Sequence, residues 1–375
     1  MVKPLRKIRS TISLIPNSGL QFLDFVFDVD KLPKINRVFW EEKLLDQPPD
    51  ENGKVPVNLR CLYPDDRSGE LVDPVTGVAP PEAETYSFNK AKALEVFLGK
   101  WVPLPVFRVK SKSAQGGDVF DRGPTNWVRV RVVELAERDR EGNSHQVSLA
   151  FDTAVRPRDD GRPYLVPSQG DSEQEQEFVF VPSEKDNAWF INEDWMDQWL
   201  DELFVEMKRA QRQGRPLRDE DIPYACEHWA RYLTFLDLLS ETHALPRVRL
   251  IDTFSSVRKY VPIEVDLVLD VGNSRTCGIL IESHPDSPPS LNDSYVLALR
   301  DLTRPERVYD RPFESRVEFA RVSFGKDAIS RRSGRPNAFF WPTVVRIGPE
   351  SMRLAGRALG TEGATGLSSP KRYLW

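Results

Sequence analysis

The chain has 375 residues, of which 40% are hydrophobic, and a formal net charge of -5. This length is enough for buried cores in two or three domains, and the charge shows no basic excess of the kind that nucleic-acid-binding proteins carry. Three cysteines, Cys61, Cys226 and Cys277, form no Cys-x-x-Cys pair, which argues against a disulfide scaffold or a zinc site and favours a reducing compartment.

The N-terminal residues do not form a secretory signal. Their start is basic, but the apolar stretch at residues 12–15 is stopped by Pro16, so it is too short for a signal peptide. No apolar run approaches the roughly 20 residues that a membrane helix needs. We therefore expect a soluble, cytoplasmic protein without a membrane span.

Residues 1–185 are predicted to form a mixed, β-rich domain. Apolar and polar residues alternate at 23–29, 128–132 and 146–151, which predicts half-buried antiparallel strands, and residues 178–181 are a further short strand. The segments 46–85 and 156–176 are long connections rich in Pro, Gly and Asp. They are too long for plain loops in a compact domain, and we expect them to be partly mobile. One helix is expected at residues 88–98, with Ser87 as its N-cap and Gly99 at its end.

Residues 186–250 are predicted to form a helical hairpin. Apolar residues recur every three or four positions at 192–213, with Asn192 as the N-cap and Gly214 after a basic last turn. A second helix is expected from residue 222 or 223 to about residue 240. Four tryptophans between Trp189 and Trp229 could form a binding surface, but packing of the two helices into a core is the favoured interpretation.

The most informative segment is residues 265–282, where a tight polar turn separates two apolar strands. Asp270 ends a run apolar enough to be buried on both faces and could hold the water shell of Mg²⁺. Because Gly272 has no Cβ, the amides of Gly272, Asn273 and Ser274 could converge on phosphate oxygens, and the side chains of Asn273, Ser274 and Thr276 could add hydrogen bonds. An ordinary hairpin with an Asn-Ser turn explains the same residue types.

This hairpin resembles the first phosphate loop of the actin, Hsp70 and sugar-kinase ATPase superfamily, whose fold is a ribonuclease H-like sheet. Residues 340–359 are similar to the Hsp70 stretch in which a proline-led strand turns back before a short helix. Residues 368–374, Ser-Ser-Pro-Lys-Arg-Tyr-Leu, are similar to the segment that bears the catalytic lysine. The resemblance implies ATP and Mg²⁺ as ligands and assigns Lys371 the catalytic role. Residues 283–337 would be an insertion, in which the basic patch at 331–335 is interpreted as a solvated loop.

Three motifs together resemble the bacterial virulence factor SrfB family: Asp270-Val-Gly-Asn-Ser-Arg-Thr, Ser333-Gly-Arg-Pro-Asn and Gly366-Leu-Ser-Ser-Pro-Lys-Arg-Tyr. Members of that family are much longer, so we expect an N-terminal fragment that carries half a nucleotide site. The resemblance implies protein partners in an assembly of virulence-associated operon products. The predicted fold is an α+β region followed by the first part of a ribonuclease H-like α/β domain, with boundaries at 1–185, 186–250 and 251–375.

Two functions of different classes remain open. In the first, the complete protein is an Hsp70-like or actin-like ATPase, in which Asp270 positions Mg²⁺ and Lys371 stabilises charge on the attacked phosphate. Asn273 stands where the Hsp70 hairpin has its first hydroxyl residue, which puts hydrolysis in doubt. In the second, the chain is a non-catalytic scaffold or interaction module of a toxin or secretion-associated assembly. A sugar or small-molecule kinase is a weaker third option. For the hairpin we expect three successive strands, 265–270, 276–282 and about 295–299, and a Lys371 ammonium that faces the same cleft as Asp270.

Overall fold

A computed structural model describes residues 11–32, 36–49, 55–157, 161–242, 245–252, 264–283, 288, 290–325, 327–357 and 366–373. The first thirteen strands are β1 (Thr11–Leu14), β2 (Leu20–Phe27), β3 (Val38–Lys43), β4 (Val57–Pro64), β5 (Leu71–Val72), β6 (Thr85–Ser87), β7 (Trp101–Pro103), β8 (Val106–Lys112), β9 (Asp118–Phe120), β10 (Val128–Glu134), β11 (His145–Asp152), β12 (Glu177–Phe180) and β13 (Arg247–Leu250). They form three sheets, with strand orders β1-β13-β12-β8-β9, β2-β11-β10-β7 and β5-β4-β3-β6.

Nine more strands lie in the C-terminal part: β14 (Glu264–Val271), β15 (Arg275–Ser283), β16 (Ser294–Val296), β17 (Leu299–Arg300), β18 (Val308–Tyr309), β19 (Phe313–Glu314), β20 (Arg316–Phe319), β21 (Val345–Ile347) and β22 (Leu367–Ser368). The described helices are α1 (Lys90–Phe97), α2 (Gln169–Glu173), α3 (Glu184–Ile191), α4 (Asp194–Gln211), α5 (Glu227–Thr242), α6 (Asp327–Arg332) and α7 (Gly348–Ala355). The protein is therefore a mixed α+β protein with several sheets. No helix in the described ranges is both long and apolar enough to cross a membrane.

One large hydrophobic core joins the N-terminal sheets to the helices. Its members include Phe107 and Phe178 from one sheet, Val130 from the other, and Trp199 and Phe235 from α4 and α5. The tryptophans of the helical segment therefore belong to a core, as favoured from the sequence: Trp195 and Trp199 are buried, and Trp189 and Trp229 pack against the same cluster. Large aromatic side chains supply much of the buried apolar area in such a core.

The predicted helices exist, but their first residues are displaced. Helix α1 is capped by Asn89, whose side chain accepts a hydrogen bond from the Ala91 amide at 2.8 Å, rather than by Ser87. Asn192 was wrongly predicted as the N-cap of α4, because it lies at the C-terminal end of the preceding helix α3. Helix α5 begins later than predicted. The amides of Ala225 and Cys226 ahead of it donate to the Glu41 carboxylate at 3.0 and 2.7 Å, so this helix start is capped by a residue from a distant strand.

The strands that were predicted from alternation are present as β2, β10, β11 and β12. Residues 46–85, which were expected to be too long for a plain loop, contain β4 and β5. The aspartates of this segment close the turns between strands: one Asp65 carboxylate oxygen accepts from the amides of Arg67 and Ser68 at 3.0 and 2.8 Å. Asp and Gly marked tight turns here, as these residue types often do.

The prediction that β10 and β11 are half-buried was wrong, because both faces of their sheet are covered. Seven of the eight residues of β11 are buried. One face of the sheet packs into the large core. On the other face a second apolar cluster forms, in which Leu20, Trp101 and Ala150 of the sheet meet residues far along the chain: Leu302, Phe324, Ala338 and Phe339. The segment 300–341 therefore lies on the face that the sequence pattern assigned to solvent.

The predicted three-strand meander is confirmed, since β14, β15 and β16 are successive antiparallel neighbours in one sheet. Strand β19 also pairs with β15, and β20 forms a separate sheet with β21 and β22. The prediction that residues 265–270 are buried on both faces was wrong. In the described part of the chain β14 pairs only with β15, and every residue of β14 is exposed.

Candidate functional site

The candidate site is built around the turn between β14 and β15. The Gly272 amide donates to the Arg275 carbonyl at 2.9 Å and closes the turn. A Cβ at position 272 would lie 2.6 Å from that same carbonyl, so the tight turn alone requires glycine here. The Gly272 amide is thus engaged within the hairpin, and the remaining predicted anion donors of the backbone are the amides of Asn273 and Ser274.

A buried serine holds this turn from the side. Ser315 lies between β19 and β20, and its hydroxyl donates to the Gly272 carbonyl at 2.7 Å, while its amide donates to the Ser274 carbonyl at 2.9 Å. The same hydroxyl lies 2.8 Å from the Thr276 hydroxyl. Ser315 therefore fixes the turn through one backbone and two side-chain contacts. The sequence interpretation missed this residue, which lies in the stretch 283–337 that was assigned to an insertion.

Ser315 also joins the turn to the segment that carries Lys371. Its carbonyl accepts a hydrogen bond from the Ser369 amide at 2.7 Å. Strand β22 pairs with β20 just before this point, and Arg316 donates to the Ser368 hydroxyl at 2.8 Å. Gly366 allows the close approach, because a Cβ there would lie 2.2 Å from the Val317 carbonyl. The structure thus brings two of the three predicted motifs to one place.

The side chains predicted to bind phosphate and metal are accessible at this place. Asp270, Asn273, Ser274 and Lys371 are all exposed, and within the described residues none of their side chains makes a hydrogen bond or an ion pair. Thr276 is half-buried, and its hydroxyl is occupied by Ser315. Among the described residues, the hairpin thus carries an unpaired carboxylate and two turn amides without partners, and the segment bonded to Ser315 carries an unpaired ammonium. We call the contacts of Ser315 with the turn and with Ser369 the Ser315 junction.

Protein ligands for a bare metal ion are few. The described residues contain no cluster of three or more His, Cys, Asp or Glu side chains that could hold one. Asp270 is the carboxylate of the hairpin nearest to the turn, since Asp266 and Glu264 lie farther along β14. This arrangement fits Mg²⁺ that arrives with phosphate oxygens and water as its other ligands, because Mg²⁺ is commonly bound through one or two carboxylates plus substrate phosphates.

The third motif, at residues 333–337, lies elsewhere and is structural. The Arg335 guanidinium donates to the Asp152 carboxylate at 2.7 Å and to the Asn126 carbonyl at 2.7 Å, and Asn126 donates to the Ser333 hydroxyl at 2.7 Å. Burial lowers the pKa of Arg335. The prediction of a solvated loop was wrong for Ser333 and Arg335, which attach the segment 300–341 to the sheet of β10 and β11.

A buried arginine completes this attachment. Arg129 of β10 donates to the Phe324 carbonyl at 2.6 Å and to the Asn126 side-chain oxygen at 3.1 Å, and its guanidinium carbon lies 4.1 Å from the centre of the Phe339 ring. Burial lowers its pKa to about 9, so it remains a cation at neutral pH. The alternating pattern had assigned Arg129 to the solvent side.

The comparisons with known proteins give one match. A family model described as "Virulence factor SrfB" matches residues 1–375. No curated protein and no solved structure matches the chain.

Proposed function

The chain belongs to the SrfB virulence factor family, and on that premise we propose that it supplies one half of an ATP-binding site of the Hsp70-like and actin-like kind. The observation that carries the proposal is the Ser315 junction. One residue donates to the turn of the β14–β15 hairpin and accepts from the segment that bears Lys371, so the two motifs expected to contact phosphate lie side by side.

In this proposal each exposed group has a separate role. The amides of Asn273 and Ser274, with their side chains, donate to phosphate oxygens, and the Gly272 and Thr276 positions keep the turn in shape through their bonds to Arg275 and Ser315. Lys371 places a positive charge beside the bound phosphates. Asp270 accepts from water molecules on Mg²⁺, and the ion supplies charge neutralisation of the phosphates.

We propose binding, and not rapid hydrolysis, as the activity of this chain by itself. The described residues around the junction offer a phosphate cradle on one side, and no described carboxylate other than Asp270 belongs to the hairpin turn. Half a cradle leaves most of a nucleotide in water. We therefore expect a Kd for Mg·ATP of about 1 mM, which corresponds to about -4 kcal/mol.

A cytoplasmic location and a role among virulence-associated protein partners form the rest of the proposal. All three cysteines are free thiols, and Cys61 and Cys226 are buried. Burial raises the pKa of Cys226 to about 12, which keeps it protonated and unreactive. Free thiols are typical of reducing compartments.

Calorimetric titration at millimolar nucleotide tests the proposal. We expect Mg·ATP to bind, and we expect Asp270→Asn or removal of Mg²⁺ with a chelator to weaken binding at least tenfold. Lys371→Ala should weaken it by a similar factor, because a phosphate loses its facing charge. Asp266→Asn is the matched control, since Asp266 is exposed on the same strand and the same face as Asp270 but lies four residues farther from the turn.

Two results would overturn the proposal. One is equal affinity of the unmodified chain, Asp270→Asn and Asp266→Asn for Mg·ATP. The other is that Lys371→Ala leaves the affinity for Mg·ATP unchanged, as the surface control Lys110→Ala is expected to do. The Lys110 side chain is 66% exposed. Either result would leave the hairpin as an ordinary turn whose glycine serves only its own geometry.

A further inference from the structure

The strand β14 is unusual among the strands of this protein because its apolar side chains are exposed. Val265, Leu267, Val268, Leu269 and Val271 are between 37% and 52% exposed. Contiguous exposed apolar surface on a folded protein commonly marks an interaction site. The long flat edge of such a strand also offers unpaired backbone groups to another chain.

The hydrogen-bond pattern shows which backbone groups of β14 have no partner in the described part of the chain. In an antiparallel pair, bonded residue pairs alternate with non-bonded ones. The Gly272 amide donates to the Arg275 carbonyl, so Gly272–Arg275 is a bonded pair. Every second pair along the register of β14 and β15 is then bonded as well: Asp270–Cys277, Val268–Ile279 and Asp266–Ile281. The N–H and C=O groups of the intervening residues of β14 therefore point away from β15: Val265, Leu267, Leu269 and Val271.

The charges of β14 determine what kind of strand can pair with this edge. One face of the strand carries Val265, Leu267, Leu269 and Val271, and the opposite face carries Glu264, Asp266, Val268 and Asp270. A partner strand must therefore present apolar side chains on one face. On the other face it meets three carboxylates, which Lys or Arg would complement.

A second copy of the chain fits this edge poorly. An antiparallel copy that places Val268 opposite itself keeps apolar residues together, but it puts Asp266 opposite Asp270. Placing Leu267 opposite itself puts Glu264 opposite Asp270. Like charges directly opposite one another destabilise a strand pair, so the acidic face works against self-pairing.

We propose that the free edge of β14 docks an extended segment of another polypeptide, in which apolar residues alternate with lysine or arginine. The added strand extends the sheet of β14, β15 and β16 by one member. Main-chain hydrogen bonds to Val265, Leu267, Leu269 and Val271 supply affinity, and Glu264, Asp266 and Asp270 supply selectivity for basic residues. This inference does not depend on nucleotide binding, because it rests on the strand edge and its test contains no nucleotide.

The probe is a fluorescent eight-residue peptide in which valine and lysine alternate. Two control peptides accompany it: one with glutamate in place of lysine, and one in which alternate amides of the valine–lysine peptide are N-methylated. By fluorescence anisotropy we expect the unmodified valine–lysine peptide to bind at least tenfold tighter than either control. Equal binding of all three peptides would overturn the proposal.

Variants of the protein locate the contact. Asp266→Lys leaves two carboxylates and one ammonium on the acidic face, so it should reduce the preference for the lysine peptide over the glutamate peptide. Asp66→Lys makes the same change in net charge at an exposed turn far along the chain and should leave the preference intact. Leu267→Pro removes one donor from the free edge and should weaken binding at least tenfold. If that variant fails to fold, the comparison of Asp266→Lys with Asp66→Lys still tests the proposal, and an unchanged preference in Asp266→Lys would overturn it.

Sedimentation velocity without peptide tests whether a second copy of the chain pairs with the β14 edge. The protein should remain a monomer at concentrations at which the valine–lysine peptide binds. A dimer that Asp266→Lys strengthens or weakens would assign the β14 edge to a second copy and overturn the choice of partner.

Discussion

The sheet of β7, β10, β11 and β2 and the sheet of β14, β15 and β16 are both antiparallel, yet their surroundings differ completely. The first is buried on both faces, by the large core on one side and by residues 300–341 on the other. The second exposes every residue of its edge strand β14. The difference shows that a strand is buried only where another part of the protein packs on it. That covering can come from a segment more than a hundred residues away.

The covered face is polar as well as apolar, and several of its polar side chains are paired. Asp24 accepts from the Ser148 hydroxyl at 2.7 Å and from Arg300 at 2.5 Å, and Arg131 pairs with Glu306 at 2.7 Å. Buried polar groups cost free energy unless they are hydrogen-bonded. The segment 300–341 therefore brings to the sheet the partners that its outward-facing polar residues require.

Asp152→Ala is expected to cause the largest loss in the free energy of unfolding among the variants that test this comparison. The Asp152 carboxylate accepts from Arg335 at 2.7 Å and from the Phe339 amide at 2.8 Å. Removing it leaves the Arg335 guanidinium, on a side chain that is only 15% exposed, without its ion-pair partner. Breaking a buried ion pair typically costs about 3–5 kcal/mol. Urea unfolding should show this loss, and Asp66→Ala, at an exposed turn, should change the free energy of unfolding by less than about 0.5 kcal/mol. A loss below about 1 kcal/mol for Asp152→Ala would contradict the attachment.

Next in size is Arg129→Met, which keeps most of the side-chain length and removes the donors. The Phe324 carbonyl and the Asn126 side-chain oxygen then remain buried without this partner. We expect a loss of about 2–3 kcal/mol in the free energy of unfolding. The exposed Arg140→Met is the control. Equal stability of both variants would mean that Arg129 does not hold the segment to the sheet.

A matched pair of valines compares the two sheets directly. Val130 in β10 is fully buried, whereas Val268 in β14 is 51% exposed. Val130→Thr buries a hydroxyl in the core and should cost about 1–3 kcal/mol. Val268→Thr should change stability by less than about 0.5 kcal/mol. Similar losses at both sites, measured by urea unfolding, would show that β14 is covered in solution.

The smallest expected effect is a pH dependence beside the exposed sheet. Glu350 lies in α7, which packs against β19 and β20, and it accepts from the Thr303 amide at 3.0 Å. Burial, followed by the nearby Asp301 charge, raises the pKa of Glu350 above its ordinary value of 4.5.

The unfolded chain therefore releases this proton at lower pH than the folded protein does, so stability falls as the pH rises from 4.5 through the folded pKa. Glu350→Gln should remove this fall, so the variant should be more stable than the unmodified protein at pH 7 and show no such gain at pH 4. Unfolding curves at both pH values measure this difference. An unchanged pH slope in the variant would contradict the assignment.

Local patterns in the sequence predicted elements well and burial poorly. Alternation at residues 128–132 correctly indicated a strand, but nothing in Val-Arg-Val-Arg-Val shows that Arg129 is buried while its neighbour Arg131 is half-buried. The apolar run at 265–271 correctly indicated a strand and wrongly indicated a buried one, because burial depends on a covering element. Period and residue type report which side chains share a face, and only the tertiary fold decides what meets that face.

The candidate site shows the same difference between local structure, which the sequence indicates, and tertiary contacts, which it does not. The turn residues Gly272 to Thr276 were recognisable because Asp, Gly and Asn favour turns. Ser315 was not, because it lies 39 residues from Thr276 and a single serine carries no local signal of a tertiary hydrogen bond. The sequence indicated that the Lys371 segment lies near the turn only through its resemblance to a known family. In the structure, the hydrogen bond from the Ser369 amide to the Ser315 carbonyl connects the two.

Amide hydrogen exchange, read by mass spectrometry on peptides from β11 and β14 of the same sample, tests the contrast between the two sheets most directly. Amides of β11 should exchange slowly, because segment 300–341 closes the outer face of their sheet. The amides of Val265, Leu267, Leu269 and Val271 should exchange within the shortest labelling time, because they face an open edge. Equal protection of β14 and β11 would contradict the account, since it would require a covering element on the β14 edge.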